Sequence, residues 1–177
     1  MPTHDLRGTS TPGQFTAPPP GKHKAVIVEG RTSGGNNAQA GDWSFVWNVI
    51  DDGESHHGAM IWDNVFTAKT RKGKENKAIN RFAMYVEAAL GVDTNKPFDL
   101  EGPQDFVGKI AMIELHEEEY DGKKRMKVTY GGVTRLDGDT AKHEDVANEL
   151  IRRHKDRAEK KAAQNRDNAA DDTGNPY

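Results

Sequence analysis

The chain of 177 residues has no cysteine, which excludes a disulfide framework, a thiolate nucleophile and cysteine-held zinc. No apolar run approaches the ~18 residues that a membrane-crossing helix needs. The opening MPTHDLRGTSTPGQ has no apolar stretch behind a basic start, so no secretory signal is expected and the cytoplasm is the expected compartment. There is no glycine-rich phosphate loop, no Ser-His-Asp set and no helical His-Glu-x-x-His, and an NTPase is thereby excluded. Apolar residues make up 34% and charged residues 30% of the chain. That balance suits a small core with disordered ends, and the length suits one domain. Aromatics are also scarce, at 7%, yet all three tryptophans fall between positions 43 and 62.

The chain divides by composition. Residues 1–20, ending TAPPP, read as a flexible N-terminal arm. KHKAVIVEG (22–30) has the β-branched density of a strand and runs into the Gly/Asn-rich GRTSGGNNAQAGD. DWSFVWNVID (42–51) alternates, placing Trp43, Phe45, Trp47 and Val49 on one face and Ser44, Val46, Asn48 and Ile50 on the other. A third strand is predicted over 59–66. From Asn76, a plausible N-cap, the period becomes helical: Ile79, Phe82, Ala83, Val86 and Leu90 share a face, and Gly91 stands where a left-handed cap belongs. Two more strands follow, 106–119 and 123–133, around Asp121-Gly122, the dipeptide of a two-residue hairpin turn. Residues 140–165 read as a charged helix anchored by Val146 and Leu150, which could mediate a homodimer or simply project. The expected organisation is an arm (1–20), a core domain (21–138), a helix (139–165) and an acidic tip (166–177).

Three strands, one helix and two strands is the order of an OB fold, a five-stranded barrel that binds oligonucleotides. The expected fold is therefore mainly β: a five-stranded OB barrel with a helix between strands three and four, a C-terminal helix and disordered tails. Trp43, Trp47, Trp62 and Phe66 are followed directly by Lys69, Arg71, Lys72, Lys74, Lys77 and Arg81, although the formal net charge is −3. Single-stranded nucleic acid needs this pairing of flat rings for bases with cations for phosphates. Alternate aromatics on a barrel strand also fill the core, so about two of these rings are expected outside, Trp62 or Trp47 first. Lys22, Lys24 and Arg31 on the first strand and the loop after it, and Lys123, Lys124, Arg125 and Lys127 on the last hairpin, would complete a positive groove if the sheet curls them to one side.

On these residues the core from GKHKAVIVEG through NRFAMYVEAALGV to DFVGKIAMIELHEEEYDGKKRMKV, roughly 21–135, resembles the phage-encoded single-stranded DNA-binding proteins of OB fold. The resemblance implies sequence-independent coating of single strands in phage replication and recombination, without catalysis or cofactor, in the host cytoplasm. The tip ADDTGNPY is similar to the acidic, aromatic-ended tails of bacterial and phage single-strand-binding proteins. It implies that Asp171, Asp172, Pro176 and Tyr177 recruit replication or recombination proteins, although this tip carries only two closely spaced acids.

Two other readings compete. Asp63, Glu75 and Lys77 have the loose carboxylate, carboxylate, lysine spacing of a metal-dependent nuclease or recombination enzyme, but Glu75 and Lys77 fall in a polar connector rather than on a buried strand. An OB barrel could also serve as a protein–protein adaptor. His56 and His57 are expected to be turn residues that point apart, with no third ligand spaced to join them, so no metal is expected. Glu117, Glu118 and Glu119 are expected to pair across the hairpin with its basic residues.

Overall fold

The alternation of DWSFVWNVID becomes a strand buried on both faces, and the fold is built outward from it. The computed structural model describes residues 16–32, 42–67, 70–71, 73–75 and 77–171. In chain order these form β1 (Gly21–Thr32), β2 (Trp43–Val49), β3 (Met60–Val65), a two-stranded hairpin of β4 (Thr70–Arg71) and β5 (Lys74–Glu75), and helix α1 (Ile79–Tyr85). A π turn (Val86–Leu90), a 3-10 turn (Pro103–Phe106), β6 (Ile110–Tyr120), β7 (Lys123–Thr134), a second 3-10 turn (Thr140–His143) and helix α2 (Glu144–Asp171) complete the chain.

The main sheet is antiparallel and ordered β3-β2-β1-β6-β7. It is an open sheet with β3 and β7 as its edges. The short β4–β5 hairpin, not anticipated, sits in the basic connector. Ala25, Ile27, Phe45, Trp47, Val49, Ile61, Val65, Ile113, Leu115 and Val128 face inward and pack with Tyr85, Val86 and Phe106. The opposite parity carries Val26, Val28, Val46 and Ile50, which would face water in a two-layer protein. Ala147 and Leu150 of α2 cover them, together with Ile110 and Leu136. Leu150 thus anchors α2 as expected, while Ala147 is buried more deeply than Val146. The other side of α2 stays solvated and carries i,i+4 ion pairs, Arg152–Asp156 and Arg153–Glu149.

Helix α1 starts at Ile79 and ends, through the π turn, at Gly91, whose φ of 68° is the left-handed cap that the sequence predicts. Asn76, the expected N-cap, lies outside the described residues. The π turn inserts an extra residue into the helical phase, so Tyr85 and Val86 are both buried. A strict 3.6-residue period selects Val86 and leaves Tyr85 outside. The expected hairpin turn is present: Asp121 (φ 53°) and Gly122 (φ 69°) both take the positive φ of a type I′ turn.

Candidate nucleic-acid interface

Between the sheet edges β3 and β7 runs a groove of about 840 Å³. Met60, Trp62, Asn64 and Phe66 form one wall, Arg125, Met126 and Lys127 form the other, and Thr16, Ala17 and Pro18 of the arm also line it. The side chain of Arg81 bridges the two edges. The Arg81 guanidinium of α1 donates to Asp63 on β3 (2.6 Å) and to the Val128 carbonyl on β7 (3.1 Å). Tyr85 also donates to Asp63, and the Trp47 indole N–H donates to the Tyr85 oxygen at 3.2 Å. Burial raises the Asp63 carboxyl above its ordinary value, against the opposing pull of Arg81 and Tyr85. Burial, reinforced by the neighbouring Asp63, raises Tyr85 as well and keeps it a donor.

Register sorts the tryptophans. Trp47 pairs with Ile61 and points inward, whereas Trp62 pairs with Val46 on the outer face, one residue out of phase. Trp62 is 55% exposed and Trp47 is 0% exposed. The sequence proposed both as stacking rings, and for Trp47 that reading is corrected: its indole is sealed and held by Tyr85. Trp43 is half-buried with its ring edge-on to Phe45, Phe82 and Phe106, so it belongs to the core wall. Phe66 is half-buried at the groove. Two exposed rings were missed, Tyr120 at the end of β6 and Tyr130 on β7. Tyr130 donates to the Lys77 carbonyl and so ties β7 to the basic connector. The available signal for Tyr120 was its position one residue before the Asp-Gly turn, where the hairpin projects beyond the core.

The cations do not gather as expected. By register Lys22, Lys24 and Arg31 lie on the outer face with Arg125 and Lys127, but Lys22 and Arg31 stand at opposite ends of β1, about 30 Å apart at a strand's rise. Arg31 pairs with its neighbour Glu29 (3.4 Å). The proposed phosphate ligand Arg81 is corrected too: it lines the groove, but its side chain is only 14% exposed and its Nη2 is held by both Asp63 and the Val128 carbonyl. Lys74 and Lys77 are exposed in the connector. Lys69 and Lys72 lie outside the described residues, and so does the side chain of Arg71. On the hairpin Lys123 is exposed. Lys124 pairs with Glu117 (2.8 Å), while Arg125 (2.8 Å) and Lys127 (3.4 Å) share Glu118. The cross-strand pairing expected of Glu117 and Glu118 is therefore present. The hydrogen bond from Arg125 leads the interactions that hold the Glu118 carboxyl below its ordinary value. Arg125 also lies over the Tyr120 ring, 4.8 Å from its centroid.

No family model and no curated protein matches this chain.

The alternative nuclease set is not assembled by these contacts. Asp63 is engaged inside the fold by Arg81 and Tyr85, whereas Glu75 and Lys77 are exposed on the connector. His56 departs from the sequence expectation in another way. Its Nε2 lies 2.7 Å from Asp51 Oδ2, and His23 Nδ1 lies 3.1 Å from the same oxygen. Burial alone would raise Asp51, but the hydrogen bonds and charges of His56 and His23 outweigh it and hold the carboxyl below its usual value. Sequence spacing could not show this cluster, because β1 pairing brings His23 in from 28 residues before Asp51. The tip residues Asp172, Pro176 and Tyr177, and the side chain of Asp171, lie outside the described residues. Among the described residues no helix is long and apolar enough to cross a membrane.

Proposed function

We propose that the chain is a non-enzymatic, sequence-independent single-stranded DNA-binding protein of OB fold, acting in phage replication or recombination. One observation carries this reading: an indole with more than half its surface exposed stands on the wall of an open groove, and the facing wall supplies Arg125 and Lys127. The neighbour order of the sheet supports the fold, since joining β3 to β7 would give a five-stranded barrel. The mechanism is passive. Trp62, with Phe66 beside it, offers a face to successive bases, and Arg125, Lys127 and the connector lysines displace counterions from phosphates. A strand held this way neither refolds nor pairs.

The test is titration with oligo(dT) at low salt, followed by tryptophan fluorescence. Stacking on Trp62 quenches the emission, while the sealed Trp47 reports little. Absence of both quenching and a gel-mobility shift would leave the protein-adaptor reading ahead. Release of labelled nucleotides in Mg²⁺ or Mn²⁺ would favour the nuclease instead.

A further inference from the structure

A second cluster, independent of the nucleic-acid reading, lies at the other end of β2. His23 enters it from β1, Asp51 follows β2, and His56 is in the turn that leads to β3. Their ligand atoms lie within 4.8 Å of one another. Both imidazoles are nearly buried, with 7% and 10% of the side chain exposed, and Asp51, at 34%, opens the cluster to solvent.

The hydrogen bonds around His23 do not balance by themselves. Its Nε2 lies 2.8 Å from the Pro19 carbonyl, which only accepts, so Nε2 carries the proton. A neutral ring then turns a bare Nδ1 lone pair toward Asp51 Oδ2, another acceptor, at 3.1 Å. Two acceptors face each other at hydrogen-bonding distance, and a positive centre must lie between them. That centre is either a proton, on the ring or on the carboxyl, or a metal ion. A histidine fixed through its far nitrogen by a backbone carbonyl, with the near nitrogen aimed at the site, is the arrangement typical of a metal-ligating imidazole.

We propose that His23 Nδ1, His56 Nε2 and Asp51 Oδ2 bind one divalent transition-metal ion, with zinc the best match. Two imidazoles and a carboxylate are ligands that zinc accepts, and three protein ligands leave the fourth tetrahedral position to water on the open side of Asp51. Zinc with bonds of ~2.0–2.1 Å sets its ligand atoms about 3.3 Å apart. Asp51 Oδ2 lies 3.1 Å from His23 Nδ1 and 2.7 Å from His56 Nε2, near that spacing, and all three atoms lie within 4.8 Å of one another, so a small movement of the turn would seat the ion. The bound ion clamps three segments together: the arm at Pro19, the start of β1 and the turn after β2. An ion that binds the folded chain and not the unfolded one raises stability by mass action.

The experiment uses the full chain without a polyhistidine tag. Titration calorimetry with ZnCl₂ is expected to give one ion per chain, and the same addition is expected to raise the melting temperature by several degrees. Co²⁺ in place of Zn²⁺ is expected to give the visible absorption of a tetrahedral nitrogen and oxygen site, an assay that needs no variant. His56→Gln and Asp51→Asn should each weaken Zn²⁺ binding by more than about 100-fold, beyond what loss of an outer partner costs. His116→Gln, at an exposed histidine that bonds Thr129 on the far hairpin, should leave binding intact. If the unaltered chain takes up no stoichiometric Zn²⁺ or Co²⁺, the positive centre is a proton and the site is refuted. Equal weakening by His116→Gln refutes it as well, because binding would then be surface histidine chemistry.

Discussion

Two carboxylate–arginine pairs border the groove, one between the sheet edges and one on the β6–β7 hairpin, and they share their chemistry but differ in burial. Asp63 and Arg81 are inside, with Asp63 3% exposed and supported by the Tyr85 hydroxyl. Glu118 and Arg125 are on the hairpin in water, with Lys127 sharing the same carboxylate. Desolvation makes the inner pair indispensable, because neither charge has another partner of comparable strength once the first is removed. Water and salt make the outer pair exchangeable, so a phosphate can replace Glu118 at little cost. The contrast separates cations that hold the fold from cations that are available to a polyanion. Counting lysines and arginines along the chain treats the two alike.

The largest expected effect breaks the inner pair. Arg81→Met leaves Asp63 buried beside a tyrosine, at a cost of ~3–5 kcal/mol of stability, read as a lower midpoint in urea. The cost should shrink in acid. Asp63 has a raised folded value, so its stabilising share is fully present below the unfolded value near 3.8 and is lost as pH rises toward the raised one. Removing Arg81 raises the folded value further and widens that window. Unfolding at pH 4 and pH 7 should therefore show a smaller difference between variant and parent at pH 4, and an equal difference would mean that Asp63 is not the charge left behind.

Next in size is the ring on the groove. Trp62→Ala should weaken oligo(dT) binding by about 5- to 150-fold, the ~1–3 kcal/mol of one stacked base. The urea midpoint should barely move, because the side chain is already more than half in solvent. Trp47→Ala has the reverse profile, ~3–5 kcal/mol of stability from a lost buried aromatic. A smaller effect follows from the facing wall. Arg125→Gln with Lys127→Gln should flatten the dependence of log affinity on log salt by about 0.7 per phosphate contact removed. Affinity should fall uniformly across sequences, and a loss confined to some sequences would indicate base readout.

These variants also mark what sequence could reveal. Period-two alternation made β2 legible, and the Asp-Gly dipeptide made the last hairpin legible, because both signals are local. The helix was legible from its period and from Gly91. Which tryptophan faces out was not, since Trp47 and Trp62 belong to different strands and only their register, Trp47 with Ile61 and Trp62 with Val46, settles the parity. Arg81 looked like a phosphate ligand because it ends a run of basic residues, and only the long-range approach of β3 and β7 gives it Asp63 and the Val128 carbonyl. His23 and Asp51 are invisible for the same reason. The face of α2 was half legible: Leu150 stood out as apolar, but Ala147 is too small to announce burial.

The smallest expected effect tests the exchangeable pair directly. Glu118 accepts from both Arg125 and Lys127, so in the free protein it occupies the charge that a phosphate needs. Binding must first break those contacts, and Glu118→Gln removes the competitor while keeping the shape of the side chain. Oligo(dT) affinity should then rise a few-fold at low salt, and the gain should vanish at high salt, where the ion pair is already screened. The urea midpoint should stay where it is, because the pair lies on the solvent side of the hairpin. Acid should imitate the substitution: the Glu118 value is lowered, so the pair survives down to its ordinary 4.5 and is lost only as pH falls below that through the lowered value. If Glu118→Gln instead weakens binding, the glutamate positions Arg125 for the strand rather than competing with it, and the hairpin would be a preorganised phosphate clamp.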